Sequence, residues 1–304
     1  MLEVAIIALR WLQYSGAVVL LGVPLFLLYS YRGADGLNMT WAQPTLIISA
    51  IVVALGSLAA LVTQTAVMAG SLSEAVKPAS LSFMVTSTTL GMAMVARAVV
   101  AIFSLVALVS LKPGRVLWGL MVGGGLIVAA SFAWTGHGAA TEGAGGLLHL
   151  IADIIHAVAA ALWLGALAAL TFLLLRRAAP DDLAIHGALL GFAGLGTLAV
   201  GLLALTGLVN SWFLVGPARV GDLGASVYGQ LLIAKLVLFV LMLALAAGNR
   251  FRLTPALGLA LAGDEDPRRA LQRLRRSVVA ETLVGAVLLA VVAVMGTLAP
   301  PSAM

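Results

Sequence analysis

Long apolar runs are the feature that most constrains how this chain can fold. A helix needs roughly 20 apolar residues to cross a bilayer, and runs of about that length lie at 4–29, 44–69, 83–111, 116–135, 147–175, 187–215, 228–248 and 277–299. A water-soluble domain could not bury so much apolar surface, since 62% of the residues are hydrophobic and only 10% are charged. We therefore predict an all-α membrane protein, a polytopic bundle of about eight transmembrane helices that forms a single domain over residues 1–304. The GALLG segment at 187–191 is a candidate for close packing between helices.

The basic residues indicate which helix ends face the cytoplasm. Taken in order, one alternate set of connections between the runs holds nearly all of the arginines and lysines, whereas the other holds only Lys77 and Arg219. The first set comprises Arg32, Lys112, Arg115, Arg176, Arg177 and the basic loop 249–276. Because cytoplasmic loops carry the excess of Lys and Arg, we predict that this set is cytoplasmic and that both termini lie outside. The net charge of +5 is then a topology signal and does not indicate nucleic-acid binding.

Within the basic loop, the segment 266–277 predicts a short helix of its own. Asp266 is a suitable N-cap, and Pro267 is suited to the first turn. Leu271, Leu274 and Val278 would then form its apolar side. We expect this helix to anchor the loop on the anionic headgroups of the bilayer, and a regulatory or partner-binding role is the alternative.

Histidines are concentrated in one stretch of the chain. His137 lies in the predicted outer loop 136–147, and His149, Asp153 and His156 follow in the fifth run at i, i+4 and i+7, so they share one helical face. At about 1.5 Å of rise per residue, His149 and His156 are roughly 10 Å apart along the axis. A single ion therefore needs His137 to fold back or the first turn to distort, and two sites in series are the other arrangement. Hydrogen-bonded structural histidines are the alternative to ligands.

The types of ligand available point to a transition metal. Imidazole and carboxylate suit Cu(II), Zn and Ni, whereas thioether suits Cu(I). Met68, Met84 and Met295 all fall near outer helix ends on the predicted topology, although a methionine in an apolar helix also serves as ordinary core filling. The chain contains no cysteine, which excludes thiolate sites.

Charged residues inside the apolar runs form a second group. An unpaired charge at the bilayer centre costs about 2.5–3.5 kcal/mol on insertion scales, so these side chains should face one another or a wet cavity. One interpretation is a polar pathway, and the other is an internal ion pair of Asp153 with Arg10 or Lys235. The members of this group, with two amides that could cap or line the same interior, are Arg10, Arg97, Asp153, Lys235, Glu281, Asn210 and Asn249. His186 is expected at the cytoplasmic interface.

Several short motifs resemble a known family. They are RWLQY at 10–14, WTGHGA at 134–139, HLIADIIH at 149–156, WLG at 163–165, TGLVN at 206–210, YGQLLIAK at 228–235 and NRFR at 249–252. In order and spacing these motifs resemble the copper resistance D (CopD) integral membrane proteins.

This resemblance implies a copper-homeostasis protein of the bacterial inner (cytoplasmic) membrane, with both termini in the periplasm. It implies that copper, as Cu(I) or Cu(II), is bound by outer-face histidines and moved across the membrane. A periplasmic CopC-type copper-binding protein is the expected donor or acceptor. Carried onto this sequence, the metal candidates are His137, His149, His156 and Asp153. The expected activity is transport, so the chain is predicted not to be an enzyme.

Two other functions remain as alternatives. Histidines that face a helical bundle can ligate haem b in an electron-transfer protein, but only His137 and His186 lie off the fifth run, and on the predicted topology they fall on opposite membrane sides. An intramembrane zinc hydrolase is less favoured, because no HExxH-type spacing is present.

Overall fold

A computed structural model describes residues 2–30, 39–136, 138–141, 143–175, 182–263 and 267–303, and within these the chain is helical with no strand. The helices are α1 (Leu2–Tyr29), α2 (Ala42–Ala69), α3 (Leu72–Ala75), α4 (Pro78–Ser87), α5 (Thr89–Ser110), α6 (Arg115–Ser131), α7 (Gly146–Leu175), α8 (Asp182–Leu214), α9 (Val227–Gly248), α10 (Thr254–Ala262) and α11 (Arg268–Met295). Short 3₁₀ turns lie at Phe132–Thr135, Gly138–Ala140, Pro217–Ala225 and Pro301–Ala303, and a π-helical turn at Asn249–Leu253 joins α9 to α10.

The prediction of eight membrane-spanning helices is confirmed. Eight helical segments of the described chain are long and apolar enough to cross a bilayer. They are α1, α2, α5, α6, α7, α8, the continuous α9–α10 segment and α11. The chain is thus an all-α, multi-pass membrane protein, and its orientation in the membrane stays a prediction.

The third predicted run, 83–111, is not one helix. The backbone breaks at Thr88, which is extended (φ −125°, ψ 135°) and separates α4 from α5. The Thr88 hydroxyl donates to the Met84 carbonyl at 2.6 Å and accepts from the Gly91 N–H at 3.0 Å, so it caps α5. The apolar run is continuous in sequence, but the membrane span begins only after this cap.

The short basic helix predicted at 266–277 is also corrected. Asp266 lies outside the described residues, and the arginines that follow form the first turns of α11, which continues without a break to Met295. Leu271, Leu274 and Val278 are buried, but they belong to the main hydrophobic core and do not face lipid headgroups. The predicted apolar face is therefore correct, and its partner is the protein interior.

Helices α1 and α7 form the centre of the bundle, because each packs against at least four other spans. Helix α1 packs against α2, α6, α7 and α11, while α7 packs against α1, α6, α8 and α11. They approach most closely where Gly22 meets Gly165, since a Cβ on Gly22 would lie 2.7 Å from the Ala161 carbonyl oxygen. In the predicted GALLG segment only Gly191 is closely packed, since a Cβ there would lie 3.0 Å from the Ser30 carbonyl oxygen, whereas a Cβ on Gly187 would meet nothing within 4 Å.

Successive spans run antiparallel, so the bundle has two distinct ends. One end, called here the cavity end, holds the start of α1, α7 and α9 and the finish of α8 and α11. The opposite end, called the basic end, carries exposed arginines and a lysine, including Lys112, Arg115, Arg252, Arg268 and Arg276.

Candidate functional site

A cavity of about 220 Å³ opens between α1, α7, α8, α9 and α11 at the cavity end. Its deeper wall is apolar and includes Ala160, Ala161, Leu288 and Leu289. Its polar lining brings together seven of the residues singled out in the sequence: Arg10, His149, Asp153, His156, Asn210, Lys235 and Met295. His137 lies outside the described residues. Arg97, Met68 and Met84 do not line this cavity.

His156 has a defined hydrogen-bond partner. Its Nδ1 lies 2.9 Å from the Thr206 hydroxyl, and that hydroxyl donates its single proton to the Leu202 carbonyl at 2.6 Å. Thr206 must therefore accept from His156 Nδ1–H, which leaves the lone pair of the neutral ring on Nε2. Metal-binding histidines use this arrangement, with the second ring nitrogen held by a hydrogen bond.

His149 is fully buried (0% exposed), and its ring is held by a hydrogen bond and by an aromatic stack. Its Nδ1 lies 2.6 Å from the Thr141 hydroxyl, and its ring stacks on Phe213 with centroids 4.8 Å apart. Among the described residues no group of three potential metal-ligating side chains comes together. The two imidazoles of the cavity lie on the same helix, seven residues apart, and do not face each other across a space that haem could occupy. This arrangement gives the haem b alternative no support.

Asp153 lies between the two histidines and is held by neutral donors. Asn210 Nδ2 donates to its Oδ1 at 3.3 Å, and the backbone N–H of Gly138 donates as well. A Cβ on Gly138 would come within 2.8 Å of the Asp153 Cβ, so only glycine lets this turn lie across α7. Neither Arg10 nor Lys235 comes within the 4.0 Å of a salt bridge to Asp153 in the described structure.

Two cations nevertheless lie near this carboxylate. Arg10 donates from Nη2 to the Thr135 carbonyl at 3.0 Å, and its buried Nη1 has no hydrogen-bond partner among the described residues. Lys235 lines the cavity from α9 and interacts electrostatically with both Asp153 and His156. A metal cation gains little from the net charge of this cavity, so binding would depend on ligation by Asp153 and the imidazoles.

Arg97 has a structural environment separate from the cavity. It is fully buried, and its guanidinium lies 3.7 Å from the centroid of the Phe132 ring. Its nitrogens donate to Gln13 Oε1 at 2.9 Å, to Ser131 Oγ and carbonyl at 2.8 and 3.1 Å, and to Thr135 Oγ1 at 3.2 Å. This one side chain therefore ties α5 to α1 and to the end of α6.

The three methionines have different surroundings. Met295 is buried and lines the cavity, so its thioether is the one that shares a space with the histidines. Met84 is buried elsewhere, where its sulfur lies 3.2 Å from the Thr88 hydroxyl oxygen. Met68 is 59% exposed on the surface of the bundle.

Sequence reasoning missed several residues of the site. Thr206 belongs to the motif at 206–210 and lies one helical turn before Asn210, so the two residues share a helical face. Tyr228 precedes Lys235 by seven residues on α9 and lines the cavity with it. Phe213 and Thr141 carry no sequence signal, since their contacts with His149 depend on how α7, α8 and the preceding turn pack.

Comparisons with known proteins agree with the resemblance seen in the motifs. The family model described as copper resistance protein D-like, N-terminal domain matches residues 1–147, and the model described as copper resistance protein D matches residues 186–295. Most of α7 lies between these two segments. No solved structure matches the chain significantly.

Three curated relatives share sequence with this chain. Copper resistance protein D of Pseudomonas syringae pv. tomato is 36% identical over 306 residues, which is 97% of this chain and 96% of the relative. Copper transport protein CutJ of Bacillus subtilis is 34% identical over 124 residues, 40% of this chain and 22% of the relative. Inner membrane protein YebZ of Escherichia coli is 32% identical over 171 residues, 55% of each chain.

Proposed function

Because this chain belongs to the copper resistance protein D family, we propose that it binds copper in the cavity at the cavity end and moves the ion across the membrane. Family membership makes it a copper-homeostasis protein. The proposal adds the place of binding and the transport step. The ion is the substrate and leaves chemically unchanged, so the proposed role is that of a transporter and not of an enzyme.

One observation carries the proposal. His149, Asp153 and His156 of α7 line the same cavity as the Met295 thioether. Imidazole and carboxylate are ligands for Cu(II), and imidazole and thioether are ligands for Cu(I). The lone pair on His156 Nε2, fixed by the bond to Thr206, supports a ligand role for that ring. His137, in the segment before α7, is proposed as a further ligand nearer the surface.

The proposed orientation places the cavity end in the periplasm. The exposed arginines of the basic end then face the cytoplasm, as the positive-inside rule requires, and both termini are periplasmic. Copper would reach the histidines from the periplasmic side, and a periplasmic CopC-type protein is the proposed donor or acceptor.

Copper stoichiometry of purified variants tests the proposal. We expect wild-type protein purified with copper to retain the metal, and the double variant His149→Ala, His156→Ala to lose it while still inserting as a folded protein. His186→Ala is the matched control, because that histidine packs against Gly258 of α10, away from the cavity. The measurements are metal analysis and size-exclusion chromatography in detergent.

The copper content of the double variant and of the control distinguishes a specific site from nonspecific binding. Loss of copper in the double variant with retention in His186→Ala supports the site. Equal copper content in the wild type and a folded double variant would contradict it. A similar loss in the control would show that histidine content, and not position, controls binding.

A further inference from the structure

A second buried polar cluster lies between the cavity and the basic end. The Glu281 side chain of α11 is 1% exposed, and its Oε2 accepts from Asn249 Nδ2 at 2.8 Å. The indole N–H of Trp163 on α7 is a second donor to this carboxyl. Three separate parts of the bundle therefore contribute to one cluster around a single carboxyl group.

The cluster is aligned with the cavity along two helices. On α11, Glu281 precedes Leu288 by seven residues and Met295 by fourteen, so it shares a face with two residues that line the cavity. On α7, Trp163 follows His156 by seven residues and likewise shares its face. Seven residues of helix rise about 10 Å, which places the carboxyl roughly 10 Å beyond the apolar wall of the cavity.

Apolar contacts separate the cluster from the cavity. A Cβ on Gly285 would lie 2.5 Å from Leu164 Cδ2 and 3.5 Å from the Met242 methyl group, so α7, α9 and α11 are closely packed at this level. In this conformation the polar cavity and the Glu281 cluster are therefore two compartments on one axis.

The carboxyl has hydrogen-bond donors but no counter-charge. From α7 it meets Trp163, and from the turn after α9 it meets Asn249; no described cation forms a salt bridge with it. Arg250 and Arg252 of that turn are exposed, and Arg250 donates to the Ala193 carbonyl and the Thr197 hydroxyl of α8. Of the other elements packed on α11, α10 carries no ionisable residue. Arg10 of α1 lies next to Gly296 at the far end, and Lys235 of α9 lines the cavity.

The basic end is close to this carboxyl along its own helix. Exposed Arg275 and Arg276 precede Glu281 by five or six residues, a distance of about 8–9 Å along α11. The Glu281 carboxyl therefore lies at similar distances from the exposed basic end and from the cavity.

The amide partner is suited to both protonation states. Asn249 Oδ1 is buried and has no hydrogen-bond donor among the described residues. A protonated carboxyl and a carboxamide can form paired hydrogen bonds, one N–H to O and one O–H to O. A proton on Glu281 would therefore supply the donor that Asn249 Oδ1 lacks, while the ionised form keeps the bond to Nδ2.

The backbone at Asn249 is also unusual. Asn249 opens the π-helical turn Asn249–Leu253, a conformation that occurs mostly as single turns inside α-helices and frequently at functional sites. The turn directs Asn249 inward and leaves Arg250 and Arg252 exposed.

We propose that Glu281 takes up a proton from the basic end and releases it into the cavity, and that this proton is exchanged for copper moving in the opposite direction. The inference rests on the proposed copper transport. When the O–H bond breaks and the proton passes to water in the cavity, the remaining carboxylate carries a negative charge that favours entry of a cation from the cavity into this half of the bundle. When a proton from the basic end binds and the O–H bond forms, that charge is removed and the cation leaves toward the basic end. Copper keeps its oxidation state throughout.

Infrared spectroscopy tests the proton site without copper. Glu281→Gln keeps the size and the hydrogen bonds of the side chain but cannot ionise. Glu74→Gln is the matched control, because that glutamate is exposed and paired with Lys77. We expect a pH-dependent carbonyl band of a buried carboxylic acid in the wild type, in the control and in Asp153→Asn, which lacks the carboxyl of the cavity. We expect the loss of that band in Glu281→Gln. If Glu281→Gln does not fold, Glu281→Asp should shift the band. A wild-type band that persists in Glu281→Gln would overturn the assignment.

Proteoliposomes test the coupling. For exchange of one proton per copper ion, a pH gradient of one unit shifts the steady-state copper ratio about tenfold, since one pH unit is about 1.36 kcal/mol. We expect this response in the wild type and Glu74→Gln, and its loss in Glu281→Gln that still binds copper. A wild type that moves copper without responding to the gradient overturns the exchange. A wild type that binds no copper refutes the proposed function, and the infrared result then still decides whether Glu281 carries a proton.

Discussion

The contact between Gly22 and Gly165 leads to a quantitative prediction for Gly22→Ala. The new Cβ would lie 2.7 Å from the Ala161 carbonyl oxygen and even closer to the Gly165 Cα, whereas ordinary van der Waals contact begins at 3.4 Å. Helices α1 and α7 must therefore separate by at least 0.7 Å, the difference between 3.4 and 2.7 Å. Overpacking of this kind costs about 1–3 kcal/mol.

Gly201→Ala is the matched control for this prediction. Gly201 lies on the exposed face of α8, where an added Cβ would meet nothing within 4 Å. Both variants gain about 1 kcal/mol of helix propensity from alanine, so this gain cancels in their comparison. The remaining difference of about 1–3 kcal/mol should lower the thermal midpoint of Gly22→Ala relative to the control by several degrees, at roughly 2–4 °C per kcal/mol.

Intrinsic tryptophan fluorescence during heating in detergent measures both midpoints. A midpoint for Gly22→Ala equal to or above that of Gly201→Ala would refute the inferred backbone contact. It would show that α1 and α7 are farther apart than described or that they separate without cost.

Three further predictions concern the site, the buried arginine and the orientation. Thr206→Val removes the acceptor of the imidazole Nδ1–H and should weaken copper binding about 10–100-fold, as is typical of residues that orient a ligand; unchanged affinity in a titration would exclude that role. Arg97→Lys cannot reproduce the forked bonds and should lose about 1.5–3 kcal/mol of stability, whereas Arg115→Lys at an exposed position should stay within about 0.5 kcal/mol of the wild type. Because the chain has no cysteine, the single variants Ser302→Cys and Lys112→Cys report topology. An impermeant maleimide should label the first from outside and the second only after permeabilisation, and the reverse pattern would invert the orientation.

The helical architecture could be predicted because length and hydropathy are local properties. Each span needs only enough consecutive apolar residues, and the structure finds eight of them in the described chain. The break at Thr88 could not be predicted in this way, because a single threonine inside an apolar run fits a helix as well as it fits a cap. The arginines after residue 267 led to the opposite error. Their charge predicted a separate surface helix, whereas they form the first turns of α11.

The site could be predicted in part for the same reason. The shared face of His149, Asp153 and His156 follows from helical periodicity on one helix, and the structure places all three at one cavity. The partners of these side chains come from other helices, as Thr206 does, and depend on packing that no local pattern encodes. Arg97 illustrates the limit, because its charge suggested a pathway while its contacts with Gln13 and Ser131 hold it away from the cavity.

The position of α7 between the two halves of the chain has a consequence for chimaeras within the family. This helix meets α1 and α6 from the first half and α8 and α11 from the second, and its Gly165 fits against Gly22 at backbone distance. A junction placed before Gly146 would pair α1 with a foreign helix at a contact that tolerates no added methyl group. A junction after Leu175 keeps that contact native and, besides side-chain interfaces, divides only the wider approach of Gly191 on α8 to Ser30, where an added Cβ would lie 3.0 Å from the carbonyl oxygen. Recombinants that retain α1–α7 as one block should therefore fold more often than those that divide it.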